Sequence, residues 1–172
     1  QLLGTQAIVG AQATKANVIQ KMQTAQLIHL ATHGLLDDYK GLGVPGAIAL
    51  APNTSPAPPL AGLLTASEIF DLKLKADLVV LSACDTGRGK ITGDGVIGLS
   101  RSLITAGANS VIVSLWKVPD DSTSFMMQQF YQVLKRPGID KAAALRQAMI
   151  TTLQQFPDPI DWAAFTIIGE AE

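Results

Sequence analysis

Residues 77–83 read DLVVLSA, and this stretch decides the fold class. Its apolar residues follow one another without alternation, which is typical of a strand that is covered on both faces. Similar apolar runs predict further strands at residues 27–32 (LIHLAT), 110–116 (SVIVSLW), 162–168 (WAAFTII) and, as a short fifth strand, 7–10.

Helical patterns occupy the spaces between these runs. They predict helices at residues 14–22, 95–106 and 122–135, and a further helix that is capped by Asp140. Residues 65–68 (TASE) fit a capping box at the start of another helix. Because strands alternate with helices, we predict an α/β fold with a mostly parallel central sheet flanked by helices.

The composition excludes several classes of protein. Lys and Arg number 13 against 14 Asp and Glu, so nothing favours a nucleic-acid partner. Cys84 is the single cysteine, which excludes an internal disulfide and therefore a disulfide-stapled secreted scaffold. No apolar run approaches the roughly 18 residues of a membrane helix, so no membrane partner is expected either. A reducing, cytoplasmic setting is the expectation.

One domain is expected over residues 1–172, because this length suits one core and 48% of the residues are hydrophobic. Residues 34–62 differ from the rest, since they are rich in Gly and Pro and include PNTSPAPP. They are predicted to form a long loop, with a small strand at 46–52. Loops of this length in a compact domain are usually functional lids or flexible segments.

Two reactive side chains follow predicted strands. His33 comes after one strand and Cys84 after another, and each is closely followed by a glycine, Gly34 or Gly87. In open α/β sheets, sites form beyond the carboxyl ends of the strands. Each residue alone is more typical of core packing. Together, in the order His then Cys and about 50 residues apart, they match the spacing in caspases.

This pair suits acyl transfer. A cysteine attacks a carbonyl as the thiolate, and a neighbouring imidazole can take the thiol proton and return it to the leaving amine. The backbone N–H groups of Gly34 and Cys84 can bind the oxyanion that develops. The sequence therefore predicts a catalytic dyad of His33 and Cys84.

Four motifs closely resemble the CHAT family, a group of caspase-like domains that are related to separase and often joined to TPR repeats. They are LIHLATHG, DLVVLSACDTG, GDGVIGLSRSLITAGANSVIVSLWKV and WAAFTIIGE, and the resemblance runs over nearly the whole chain. It implies a caspase-like α/β sandwich, with His33 as general base and acid and Cys84 as nucleophile. It also implies that the Gly34 and Cys84 N–H groups form the oxyanion hole.

The chain departs from this pattern in two respects. Caspases have glycine two residues after the cysteine, whereas Thr86 stands here and Gly87 follows. This departure favours the CHAT and separase side of the fold and removes any expectation of cleavage after aspartate. The family fold also begins with a strand and a helix that this chain is expected to lack.

Residues 93–98 (GDGVIG) match a dinucleotide-binding pattern, and Asp120 follows at a distance that would suit a ribose-binding acid. In a dinucleotide fold the glycines follow the strand directly, but here about ten residues intervene, so a tight loop entry is the preferred interpretation. His29 and His33 have the spacing of a zinc-binding helix, with Leu30 in place of the glutamate. In a strand these histidines would be roughly 13 Å apart. We therefore expect no cofactor and no metal, and a structural role for His29.

The candidate substrate pocket consists of Asp85, Ser114, Trp116 and Asp121. Asp85 suits either a basic substrate side chain or the backbone donors of a turn. Asp121 suits either the pocket or a helix N-cap. The resemblance to separase implies a basic residue on the amino side of the cleaved bond, the P1 position.

The sequence thus predicts a cysteine endopeptidase that acts on a specific protein substrate and is regulated by other parts of the parent protein. A TPR-repeat region of the same chain or of a partner is the expected neighbour. The alternative is a non-catalytic domain of the same fold that binds a peptide without cutting it.

Overall fold

The computed structural model describes residues 3–35, 46–53, 58, 60–82 and 93–171. The strands are β1 (Leu27–Leu30), β2 (Gly34–Leu35), β3 (Ala47–Ala49), β4 (Leu63–Thr65), β5 (Leu78–Leu81), β6 (Ser110–Ser114) and β7 (Phe165–Gly169). The helices are α1 (Lys15–Met22), α2 (Ala66–Phe70), α3 (Gly93–Thr105), α4 (Asp120–Leu134), α5 (Lys141–Gln155) and α6 (Pro159–Trp162).

The central sheet has the strand order β1-β5-β6-β7. β1, β5 and β6 run parallel, and β7 pairs antiparallel with β6. All of β5 and β6 is buried, because helices cover both faces of the sheet. The predicted mostly parallel sheet flanked by helices is confirmed.

Alternate residues of the sheet face two different cores. Val79 and Leu81 pack with residues of α1, α2 and α3 on one face. Leu78 and Val80 pack with α4 and α5 on the other. The domain is therefore an α/β sandwich, and the side of the sheet on which a residue lies follows from its parity along the strand.

A second sheet has the antiparallel order β2-β3-β4. The small strand predicted within residues 46–52 is present as β3. Ile48 of β3 and Leu64 of β4 belong to the core on the α1, α2 and α3 side. The small sheet is thus anchored by apolar packing, and through β2 it continues directly from the end of β1.

Two predicted strand positions are wrong. Residues 7–10 form no strand, since most of them are exposed without a pairing partner and Gly10 begins a 3-10 helix with φ of +57°. The last strand begins at Phe165 rather than at Trp162, because Asp158 caps the short helix α6 and that helix extends to Trp162.

Two helix caps are present where the sequence predicts them, and one of the two roles considered for Asp121 is excluded. Thr65 and Glu68 form the predicted capping box, and Asp140 accepts a hydrogen bond from the Ala143 N–H at 2.6 Å. Asp121 is not the N-cap of α4. The helix begins one residue earlier, after Pro119 with its extended backbone, so the Asp121 carboxylate lies in the first turn.

Gly107 provides a test of the α3–β6 connection. Its φ is +112°, and a Cβ there would lie 2.5 Å from the Leu74 carbonyl oxygen. We expect Gly107→Ala to lower the free energy of unfolding by about 2 kcal/mol or more, because backbone strain and a clash with main chain coincide. Urea denaturation followed by circular dichroism measures this change.

Gly98 is the matched control, since it lies in α3 and a Cβ there would meet nothing within 4 Å. Gly98→Ala is expected to leave the stability unchanged or to raise it by up to about 1 kcal/mol. If Gly107→Ala and Gly98→Ala lowered the free energy of unfolding equally, the proposed backbone constraint at Gly107 would be contradicted.

Candidate active site

The candidate site lies where the parallel strands β1 and β5 end. Leu30 pairs with Leu81, and throughout the ladder each β5 residue is numbered 51 higher than its β1 partner. Cys84 is likewise numbered 51 higher than His33. The two residues therefore occupy equivalent positions in sequence, each three residues beyond the last paired residue of its strand.

His33 lies at the junction of the two sheets. Its backbone carbonyl accepts a hydrogen bond from the Ala49 N–H at 2.8 Å. Thr32 Oγ1 donates to the Ala49 carbonyl oxygen at 2.6 Å. The main chain is thus held on β3 while the His33 side chain is exposed, so the imidazole is accessible to a reacting partner.

The Gly34 N–H points away from β3. In an antiparallel ladder, successive residues direct their backbone groups alternately toward and away from the partner strand. His33 bonds to Ala49, so Gly34, which is paired with Ile48, directs its N–H to the opposite side. Gly34 is also buried, and a buried donor directed out of a ladder is suited to holding an anion.

Cys84 and Asp85 lie outside the described residues, as do Thr86 and Gly87. The assembly of the dyad, the donation by the Cys84 N–H and the role of Asp85 therefore stay predictions.

The other pocket candidates lie at or after the carboxyl end of β6, at the same edge of the sheet. Ser114 is buried at the end of β6. Trp116 is partly buried against the α4 and α5 core, and its indole N–H donates to the Ile160 carbonyl oxygen at 3.3 Å. Asp121 is exposed in the first turn of α4. Trp116 thus has a packing partner, whereas the Asp121 carboxylate is open to solvent.

Sequence reasoning missed a hydrogen-bonded network around His29, which we call the His29 network and which comprises His29, Ser82 and Tyr131. His29 Nε2 is 2.8 Å from Ser82 Oγ, and His29 Nδ1 is 2.9 Å from the Tyr131 hydroxyl. The period-2 pattern of β1 indicates that His29 faces away from Ile28 and Leu30. It does not reveal Tyr131, which is 102 residues away on α4.

Burial decides the protonation of this network. It lowers the pKa of His29 below its ordinary value, because desolvation penalises the imidazolium. It raises the pKa of Tyr131, so the phenol stays neutral. A neutral imidazole has one donor and one acceptor nitrogen, which match a hydroxyl on each side. The structural role predicted for His29 agrees with these contacts.

Within the described ranges, no group of three or more His, Cys, Asp or Glu side chains is arranged to hold a metal ion. Nor is any helix among these residues both long and apolar enough to cross a membrane.

The CHAT domain family model matches residues 1–170, so the chain belongs to the CHAT family and its α/β sandwich is caspase-like. Tetratricopeptide repeat protein 28 from Mus musculus is 33% identical over 205 residues, and the protein of that name from Homo sapiens is 34% identical over 198 residues. Each alignment covers 98% of this chain but only 8% of the relative, so the chain spans about 8% of the length of these curated relatives.

The lowered pKa of His29 predicts a pH-dependent stability. The unfolded chain binds a proton near the ordinary value of 6.5, whereas the folded chain resists protonation until a lower pH. The stability contributed by the neutral imidazole is therefore fully present above about pH 7, begins to be lost as the pH falls below 6.5, and is gone once the pH has fallen through the lowered pKa of the folded state. Each pKa unit of difference corresponds to about 1.4 kcal/mol.

Urea denaturation at pH 7.5 and pH 5.5 measures this loss, and His29→Gln is expected to reduce it. His33→Gln is the control, because His33 is exposed and is not one of the two hydrogen-bond partners of His29. If the loss of stability between pH 7.5 and pH 5.5 disappeared in His33→Gln but persisted in His29→Gln, the attribution of this loss to His29 would be refuted.

Proposed function

We propose that this chain is a cysteine endopeptidase in which Cys84 is the nucleophile and His33 the general base. The observation that carries the proposal is the β1–β5 register, because its offset of 51 residues equals the separation of His33 and Cys84. His33 and Cys84 each follow the last paired residue of their strand by three residues in the sequence, and a thiol and an imidazole near the ends of two adjacent parallel strands suit the sharing of a proton.

The reaction proceeds in two acyl-transfer steps. His33 takes the proton of the Cys84 thiol, and the sulfur attacks the scissile carbonyl carbon to form a C–S bond. The tetrahedral oxyanion collapses, the C–N bond breaks, and the imidazolium gives its proton to the leaving amine. Water, deprotonated by His33, then hydrolyses the thioester and restores the thiol.

The oxyanion is proposed to bind the N–H groups of Gly34 and Cys84. The direction of the Gly34 N–H, away from β3, supports this role on the Gly34 side. A donor held by the main chain before reaction begins needs no reorganisation, and such donors contribute roughly 3 kcal/mol each in known cases.

Substrate recognition is proposed to involve Asp85, Ser114, Trp116 and Asp121, with a basic P1 residue. The exposed Asp121 carboxylate at the first turn of α4, beyond the end of β6, supports this preference.

The substrate is proposed to be a specific protein, and TPR repeats of the same or a partner chain are proposed to regulate the activity. The similarity to tetratricopeptide repeat protein 28 of Mus musculus and Homo sapiens supports an association with TPR repeats.

The domain itself is proposed to extend over residues 1–172. Catalysis needs Cys84 as a free thiol, which favours a reducing compartment such as the cytoplasm.

The solitary cysteine gives a direct test of the dyad. Iodoacetamide labelling at pH 7, followed by intact mass, reports Cys84 because the chain has no other thiol. We expect wild-type labelling to be at least about 10-fold faster than labelling of the urea-unfolded chain, and His33→Ala to abolish the excess. A Cys84→Ala variant must also lose cleavage of protein substrates.

Labelling no faster than in the unfolded chain, in wild type and His33→Ala alike, would contradict the dyad and favour the non-catalytic peptide-binding alternative. Melting curves of both variants establish that the fold is retained.

P1 preference is tested separately with a library of fluorogenic peptides that differ only at P1. Arg and Lys are expected to give the highest kcat/KM and Asp the lowest. Asp121→Asn should lower kcat/KM for Arg peptides by about 10-fold, which corresponds to the loss of roughly 1.4 kcal/mol of charge-assisted binding. Asp140→Asn is the control for a change in net charge, because it removes the charge of a carboxylate that caps α5. An unchanged P1 profile in Asp121→Asn would remove Asp121 from the pocket.

A further inference from the structure

The His29 network ends at the residue where β5 stops pairing. The last β5 residue in the ladders with β1 and β6 is Leu81, and Ser82 is the next residue. The hydrogen bond between Ser82 Oγ and His29 Nε2 therefore holds the chain one residue beyond the backbone ladder. Cys84 follows two residues later in the sequence.

The other end of the network is firmly anchored. Tyr131 is 5% exposed and lies in the core between α4 and the sheet. Its ring contacts those of His29 and Phe130, at centroid distances of 5.6 and 5.1 Å. Because both His29 nitrogens are hydrogen-bonded, a rotation of the imidazole that released Ser82 would also break the hydrogen bond to Tyr131.

We propose that His29 and Tyr131 are positioning residues that fix Ser82, two residues before Cys84 in the sequence, and that the reactivity of the Cys84 thiol depends on this anchorage. This inference rests on the proposed function, because it concerns the placement of the Cys84 thiol relative to His33. A displacement of about 1 Å can cost about 100-fold in rate, so a tether adjoining the nucleophile has a measurable kinetic effect.

The same geometry has a rival interpretation, in which Ser82 is itself a nucleophile and His29 its base. When a histidine takes the proton of a catalytic serine, the resulting imidazolium must be stabilised. In the serine proteases a buried carboxylate stabilises it. Here the orienting group is a neutral phenol, and burial disfavours the imidazolium of His29. The positioning role requires only a neutral imidazole, which is the form that this environment stabilises.

The test is the pH–rate profile of Cys84 alkylation by iodoacetamide, measured on the whole chain. We expect Ser82→Ala to lower the rate at pH 7 by about 10-fold and to move the apparent pKa of the thiol toward that of a free cysteine, near 8.5. Ser82→Thr keeps a hydroxyl and is expected to recover most of the rate. Tyr131→Phe, which loses only the hydroxyl, should shift the profile in the same direction.

Ser110→Ala is the matched control. Ser110 is a buried serine whose hydroxyl donates to the Glu170 carbonyl oxygen at 2.5 Å, and it lies at the opposite end of the parallel strands. It is expected to lower the melting temperature and to leave the pH–rate profile unchanged. If Ser82→Ala does not fold, Tyr131→Phe decides the question, because the ring and its packing remain.

The outcomes separate the two proposals. Fast labelling that depends on His33 but is unaffected by Ser82→Ala and Tyr131→Phe overturns the inference and leaves the proposed peptidase intact. Wild-type labelling at the rate of the unfolded chain overturns both. Covalent modification of Ser82 by phenylmethylsulfonyl fluoride, located by peptide mass, overturns the positioning role in favour of a serine nucleophile.

Discussion

The register between β1 and β5 is the constraint on which the rest of the site depends. Both strands are covered by packed layers, so a slip of one residue would turn every side chain to the wrong face. In β1, Ile28 and Leu30 face the α1, α2 and α3 core while His29 faces Tyr131 on α4. A slipped strand would bring the imidazole into the apolar core without its hydroxyl partners, at a cost of roughly 1–3 kcal/mol for the unsatisfied polar group. Polar and apolar side chains of one short strand thus specify the same alignment.

That alignment has a chemical consequence at the carboxyl ends of the strands. A parallel ladder has one constant offset, so it brings positions far apart in sequence to the same level. At this level the chain leaves β1, passes through His33 and enters β2 of the small sheet. Because β3 holds the His33 carbonyl, the exposed imidazole extends from a main chain that is bonded to the small sheet. The site can therefore combine an accessible side chain with a rigid backbone.

The two histidines show how burial divides roles between identical side chains. His33 is exposed and suits proton transfer with a substrate. His29 is four residues away in sequence, is largely buried, and has both nitrogens bonded to hydroxyls. Desolvation lowers the pKa of His29, which suits a fixed structural partner and not a group whose role is to take up a proton.

The amino-acid sequence by itself determined the α/β class, the parallel core strands and the main helices, because unbroken apolar runs and helical periodicity are local signals of burial. The capping box at Thr65 and the cap at Asp140 were equally local, since each side chain bonds only three residues along the chain. His33 and Gly34 were identifiable as site candidates because they follow a strand end. Of the two roles considered for Asp121, the N-cap is excluded, because α4 begins at Asp120 after the extended backbone of Pro119. Only the tertiary structure decided the partners of His29, the direction of the Gly34 N–H and the numerical offset of the β1–β5 register. These features join residues that are 14 to 102 positions apart, and contacts across such separations depend on how layers pack, which no local pattern encodes.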